Sequence, residues 1–358
     1  MKSQTRKKPG NTSFISEKRK DEWSKSIGGY FEWELPHHQE PYHNDLIKLN
    51  SGRSALEYII RFRGYKKVYL PYYICDAILQ PLNRLKLDYE FYSINADLEP
   101  PIIKLKEGDA LLAVNYFGLM GIRLKALSNE YKELILDNSM AFFARPFDKI
   151  PCFYSPRKFF GVPDGGLAYL GKAHPQIILK KEVSYQKTTH LIKRLDLGAE
   201  QGYEDFKKNE AASKDRPVMQ MSNLTRKILA SINYQEILHT RNSNFLYLHR
   251  HLYRFNELSP LISKAEVNGP MFYPFLRNNN ENLRERLISQ RIYVARYWPN
   301  VPHWVKANES IELYLYHNLI PLPIDQRYNL DDMDHILQQI QDLEKIKTRG
   351  RKPQNKRS

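Results

Sequence analysis

Between residues 67 and 137, four short apolar runs alternate with stretches of helical spacing, and this alternation restricts the fold more than any other feature of the chain. The runs cover residues 67–71, 89–93, 109–117 and 133–137, and residues 72–85 and 124–131 carry the helical pattern. Parallel neighbours need a crossover segment that a hairpin does not provide, so strands separated by helices predict a mostly parallel sheet sandwiched by helices. Ligands of such sheets gather at the carboxyl ends of the strands. Tyr73, Cys75, Asn115, Tyr116, Asp137 and Ser139 all fall at those ends.

Just before the alternation begins, Ser51-Gly52-Arg53-Ser54 opens onto Ala55, Leu56, Ile59, Ile60 and Phe62 at helical spacing, and Gly64 closes the run. A helix start leaves backbone N–H groups without acceptors, and a phosphate can sit there; a plain capped helix has the same pattern. After the alternation, residues 151–171 read PCFYSPRKFFGVPDGGLAYLG. Lys158 stands at the hinge of this stretch, among Tyr154, Phe159 and Phe160. Partial desolvation by those rings would favour its free amine, the state a Schiff-base lysine needs. A surface lysine on an aromatic hairpin stem is the plainer reading. Asp137 ends an apolar strand before Asn138-Ser139, which suits either a helix cap or a carboxylate placed under a heterocyclic nitrogen. A helix start for phosphate, an acid for a ring nitrogen and a lysine for an aldehyde together make the contact set that pyridoxal 5′-phosphate requires.

With 358 residues the chain is long enough for one large domain and a smaller one. The expected partition is a basic disordered tail over 1–26, a large α/β domain over 27–240, a smaller α+β domain over 241–344, and a second basic disordered tail over 345–358. Residues 27–42 are expected as an extended arm. The formal charge of +15 suggests a polyanion partner, but residues 1–20 hold +6 of it and 345–358 hold +7, leaving +2 for the body. Nucleic acid is therefore not an expected partner, and weak attraction of the tails to an anionic surface is the residual reading. No apolar run approaches the length of a membrane span and the N-terminus has no signal-peptide core, so a cytoplasmic protein is expected. Two cysteines, Cys75 and Cys152, in aromatic surroundings argue against a disulfide framework or a cysteine-based zinc site. The His249-Arg250-His251 cluster has no carboxylates at metal spacing, so no metal is expected.

The segments SGRSALEYI, LPYYICDAIL, AVNYFGL, ILDNSMAFF and YSPRKFFGVPDGGLAYL resemble those of the DegT/StrS family of sugar aminotransferases. The likeness extends from about Leu49 to Asp342, where LIPLPIDQRYNLDDMDHIL is similar to the family's small domain. It implies an aspartate-aminotransferase type of fold with Lys158 as the cofactor lysine and Asp137 as the partner of the pyridine nitrogen. Gly52, Arg53, Ser54 and Ser155 are implied around the phosphate, and Tyr73, Cys75 and Met140 around the ring. Asn115, Tyr116 and Asn223 are implied near the substrate, with Asn244 an alternative to Asn223. The implied reaction is transfer of an amino group from an amino acid to a keto group of a nucleotide-linked sugar, feeding surface polysaccharide, by a homodimer. Three positions depart from the family: Met140 replaces a polar residue, Phe153 stands where the phosphate serine lies, and Arg53 replaces a threonine. These departures keep open a second class, a degenerate relative with a binding, assembly or regulatory role. Between the two implied domains, residues 177–193 and 224–238 are expected as helices separated by a polar stretch over 200–217.

Overall fold

A computed structural model describes residues 28–36, 41–171, 178–212, 214, 216–278, 281–307 and 309–350, with the backbone alone of residue 281 and of the last ten. Residues 1–27 and 351–358, which contain most of both basic segments, lie outside the described residues. Contacts divide the chain into Met1–Leu35 and Pro36–Ser358. In the first unit residues 28–35 form bends and extended backbone without helix or strand.

The second unit begins its regular structure with β1 (Ile47–Leu49), α1 (Gly52–Arg63), β2 (Lys67–Pro71), α2 (Leu79–Leu85) and β3 (Asp88–Tyr92). It continues through β4 (Asp109–Val114), α3 (Gly121–Glu130), β5 (Leu134–Asp137), β6 (Cys152–Tyr154) and β7 (Gly166–Tyr169). Seven strands form one sheet in the order β1-β7-β6-β5-β4-β2-β3. The pairs β2 with β3, β2 with β4, β4 with β5, and β5 with β6 are parallel, as the alternation predicts. Both pairs made by β7 are antiparallel, because the turn after β6 returns directly instead of crossing over on a helix.

Register decides what the carboxyl ends present. Asp137 is the Cα partner of Val114 in β4 and of Phe153 in β6, so these three residues form one row across the sheet. Strand side chains alternate between faces, and aligned partners share one. β4 and β5 are buried along their whole length, which matches the continuous apolar runs that a sheet covered on both sides requires.

α1 follows its sequence pattern closely. The Ser51 hydroxyl accepts the Ser54 amide at 3.0 Å, and Gly64, in the left-handed region at φ 68°, donates its amide to the Ile60 carbonyl. Such a serine cap is worth about 1 kcal/mol. Ala55, Leu56, Ile59 and Ile60 are buried, whereas Phe62, expected on the same face, is exposed. The buried face also holds Glu57, held by Arg61 and Arg84 at 2.7 Å each.

Residues 178–350 carry α4 (Thr189–Leu197), α5 (Tyr203–Ala211), α6 (Asn223–Ala230), α7 (Tyr234–Leu252), α8 (Ser259–Ile262), β8 (Tyr273–Leu276), α9 (Glu281–Ser289), α10 (Val301–Trp304), α11 (Ile311–Asn318), β9 (Leu319–Leu322) and α12 (Leu330–Gly350). β8 and β9 pair antiparallel in a separate two-stranded sheet. Three expectations are corrected here. Of the described part of the helix expected over 177–193, only the 3₁₀ turn Tyr185–Lys187 and α4 from Thr189 are helical. The polar stretch over 200–217 contains α5. The single helix expected over 224–238 is broken, because Asn233 accepts the Glu236 amide and starts α7 anew. α12 runs to Gly350, so the backbone of residues 345–350 is helical.

Candidate functional site

At the carboxyl ends of the parallel strands lies a cavity of about 270 Å³. The register row supplies one wall through Val114, Asp137 and Phe153, and the start of α1 supplies another through Ser51, Gly52 and Arg53. Ile74, Cys75, Ala77 and Ile78 enter from the segment after β2, and Ser139, Met140, Ser155, Arg157 and Lys158 from the segments after β5 and β6.

Lys158 ends a short 3₁₀ turn, Pro156–Lys158, directly after β6. Its Nζ donates to Ser139 Oγ at 2.9 Å. The amide of the same Ser139 donates to Asp137 Oδ1 at 2.7 Å, so one residue fixes both the amine and the carboxylate. Burial pushes the Asp137 carboxyl above its ordinary range, against the opposing pull of the Lys158 charge and the Ser139 donors. A buried carboxylate in that position gains from a cation or a protonated ring nitrogen brought beside it.

The enclosure of Lys158 by aromatic rings, expected from the sequence, is not found. Lys158 is exposed, while Phe159 and Phe160 are buried against Phe142 and Tyr234, and the Tyr154 hydroxyl donates to the Ala144 carbonyl. A 3₁₀ turn rotates successive side chains by about 120°, so the lysine and the phenylalanines that follow it face different sides. Those phenylalanines hold the turn instead. The buried Arg241 guanidinium lies 4.7 Å from the Phe159 ring centroid, and Gln326 donates to the Phe159 carbonyl at 2.8 Å. Burial pulls the Arg241 pKa down to about 10. Both residues are remote in sequence from the lysine they position.

The rest of the loop is closed by Asp164, a buried residue whose carboxylate accepts the Ser222 amide at 2.9 Å, the Ser222 hydroxyl at 2.6 Å and the Thr225 hydroxyl. The two residues after it must be glycine. Gly165 has φ 131°, and a Cβ on Gly166 would stand 2.0 Å from the Ser51 carbonyl oxygen. The close approach brings the helix start against the strand. Gly52 lies beside Ser155 on the same wall, where a Cβ would stand 3.5 Å from the Ser155 Cβ in ordinary contact.

Seven of the residues to which the resemblance gives a role thus line one cavity, Gly52, Arg53, Cys75, Asp137, Met140, Ser155 and Lys158, together with Ser139 and Phe153. The others are placed elsewhere. Ser54 is spent on the α1 cap, where its hydroxyl meets that of Ser51. Tyr73 is fully buried edge-on to Trp298, its hydroxyl without a partner, and Tyr116 donates to the Tyr73 carbonyl at 2.8 Å. Asn115 donates to Asn138 and accepts the Met120 amide, lining a second cavity behind the strand ends. Asn223 is exposed at the start of α6, and Asn244 donates to the carbonyls of Ile324 and Tyr328. Among the wall residues not singled out are Arg157, Phe206, Glu210 and Trp298. Arg157 adjoins the lysine and was within reach of the pattern, but nothing in the local sequence brings Phe206, Glu210 or Trp298 to this place.

Solved structures resemble this arrangement as a whole. A DegT/DnrJ/EryC1/StrS aminotransferase from Brucella abortus superposes with a TM-score of 0.56 at 15% identity, covering 83% of this chain and 85% of its own. A putative sugar aminotransferase from Streptococcus pneumoniae gives 0.57 at 16% identity, with 86% and 88% covered. The chain has the fold of these aminotransferases. An aminotransferase of Helicobacter pylori involved in the biosynthesis of pseudoaminic acid gives 0.56 at 14% identity, with 83% and 86% covered. The family expected from the sequence motifs is therefore the one whose fold is found. No family model and no curated protein sequence matches the chain.

Proposed function

We propose that the chain is a pyridoxal-phosphate-dependent aminotransferase that acts on a keto group of a nucleotide-linked sugar. The observation that carries this reading is the single cavity in which Ser139 joins the Lys158 amine to the Asp137 carboxylate, with Arg53, Ser155 and the α1 start on the same wall. The donor set fits the cofactor. Lys158 supplies the amine for its aldehyde, Asp137 the acid for its ring nitrogen, and the α1 amides with Arg53 and Ser155 the donors for its phosphate. The same fold has been solved in PLP and PMP forms for the pneumococcal protein, which supports the choice.

When bound, pyridoxal phosphate supplies an electron sink for the carbon that gains or loses the amino group. The residues around it divide the remaining work. Asp137 holds a proton on the heterocycle and makes up for its own costly burial by pairing with that positive charge. Lys158 Nζ is the group placed to carry a proton at the reacting carbon, and the Ser139 hydroxyl keeps it oriented. Val114, Phe153 and Met140 are apolar walls that exclude water from the ring site. A nucleotide-sugar acceptor, an amino-acid donor, a place in surface-polysaccharide synthesis and a two-fold dimer complete the proposal.

A visible absorbance band on adding pyridoxal phosphate, and a mass increment fixed on Lys158 by borohydride, test the cofactor reading. An unchanged spectrum in Lys158→Ala would sink it. The apolar Met140 and Phe153 favour a second reading, a binding protein that keeps the pocket without turnover. Glutamate distinguishes the two: bleaching of the band means amino transfer, and a band that persists while a nucleotide sugar still binds means the second.

A further inference from the structure

Two wall residues that the sequence pattern did not single out, Arg157 and Glu210, are oppositely charged and pair with each other beside Arg53. Arg157 Nη2 donates to Glu210 Oε1 of α5. Arg53 lies close enough that Glu210 is the largest charge supporting its protonated form against burial, while Arg157 and Arg216 oppose it. Arg53 Nη1 is also held by Gln80 Oε1 at 3.1 Å. The corner therefore carries two guanidinium groups on the wall and one carboxylate from a neighbouring helix.

The two ends of the ion pair differ in freedom. The Arg157 side chain is 16% exposed and the Glu210 side chain 43%. Glu210, the more exposed of the two, is the partner freer to rotate into water. A partly exposed pair is worth about 1 kcal/mol or less, and a phosphate dianion makes stronger, bidentate bonds to guanidinium groups. We propose that Glu210 is a resident anion of this corner: it holds Arg157 until a phosphate group displaces it, and Arg157 with Arg53 then binds that phosphate. This rests on the cofactor reading above and assigns its phosphate site to two arginines, where Phe153 supplies no hydroxyl. α5, which carries Glu210, also presents Phe206 to the cavity.

The experiment is a titration of the full chain, of Glu210→Gln, of Arg157→Ala and of the double variant with pyridoxal phosphate and with pyridoxal, read by visible absorbance. Pyridoxal has the aldehyde and lacks the phosphate. The expected result is binding of pyridoxal phosphate up to about fivefold tighter in Glu210→Gln, no change for pyridoxal, and no gain from Glu210→Gln once Arg157 is alanine. Equal or weaker binding in Glu210→Gln, an equal gain for pyridoxal, or a gain that survives without Arg157 would each overturn the proposal. If neither aldehyde gives a band on the unsubstituted chain, the cofactor reading fails separately. Inorganic phosphate then decides: a larger upward shift of melting temperature in Glu210→Gln than in the parent supports a displaceable anion, and equal shifts reject it.

Discussion

The two ends of the cavity are built by different means. Asp137 and Ser139 belong to the buried carboxyl end of β5, fixed by ladder register between β4 and β6, and they hold Lys158 through a single serine. Arg53, Arg157 and Glu210 belong to a helix start, a 3₁₀ turn and a separate helix, joined by charge alone. Backbone register positions a group to within a fraction of an ångström, while long charged side chains are adjustable and screened. On the proposed reading the chemistry belongs to the rigid end, and the adjustable end suits capture and release.

Substitutions separate the two ends by size of effect. Lys158→Ala abolishes covalent attachment of pyridoxal phosphate, read as loss of the borohydride-fixed mass, with amino transfer down by at least about 10³-fold. Gly166→Ala strikes the seam between the ends, because its methyl group would meet the backbone of Ser51 and Gly52. It should cost several kcal/mol, on the order of other overpacked sites, in chemical denaturation. Asp137→Asn lowers the rate of amino transfer by about 10²-fold, since a neutral amide no longer keeps the ring nitrogen protonated. Arg53→Lys, at the adjustable end, gives the smallest change, a few-fold in cofactor affinity with the rate unaltered. A rate effect from Arg53→Lys as large as that of Asp137→Asn would erase the distinction.

Asp137 also gives a pH test with a definite sign. Its folded pKa is raised by burial, so the native chain without cofactor retains a proton that the unfolded chain gives up. Stability of that form therefore falls as pH rises from the ordinary carboxylate range through the raised value. Asp137→Asn removes this loss and should melt higher than the parent at neutral pH when no cofactor is present. Adding pyridoxal phosphate reverses the order.

The fold was legible because alternating β and α runs are local signals, and so were Lys158, Asp137 and Gly52-Arg53, each at a turn or at the end of an apolar run. Wrong detail arose where tertiary context prevailed. Phe159 and Phe160 were read as a sheath for the lysine, but they pack on Phe142 and Tyr234. Tyr73 and Tyr116 sit at strand ends as expected, yet their rings face the core, since a strand end places a residue without saying which way it points. Trp298 and Glu210 come from segments 140 and 52 residues beyond Lys158, and no short-range pattern ties such segments to one cavity.

The row formed by Val114, Asp137 and Phe153 has a further consequence for the gene that encodes it. A single codon inserted within β5 would turn the acid to the opposite face of the sheet and bring an apolar neighbour to the cavity. The same insertion in the exposed part of the connection, between Arg145 and Ile150, would leave both the row and Ser139 in place. Length variation among descendants of this sequence should therefore accumulate in that connection and stay out of the four residues of β5.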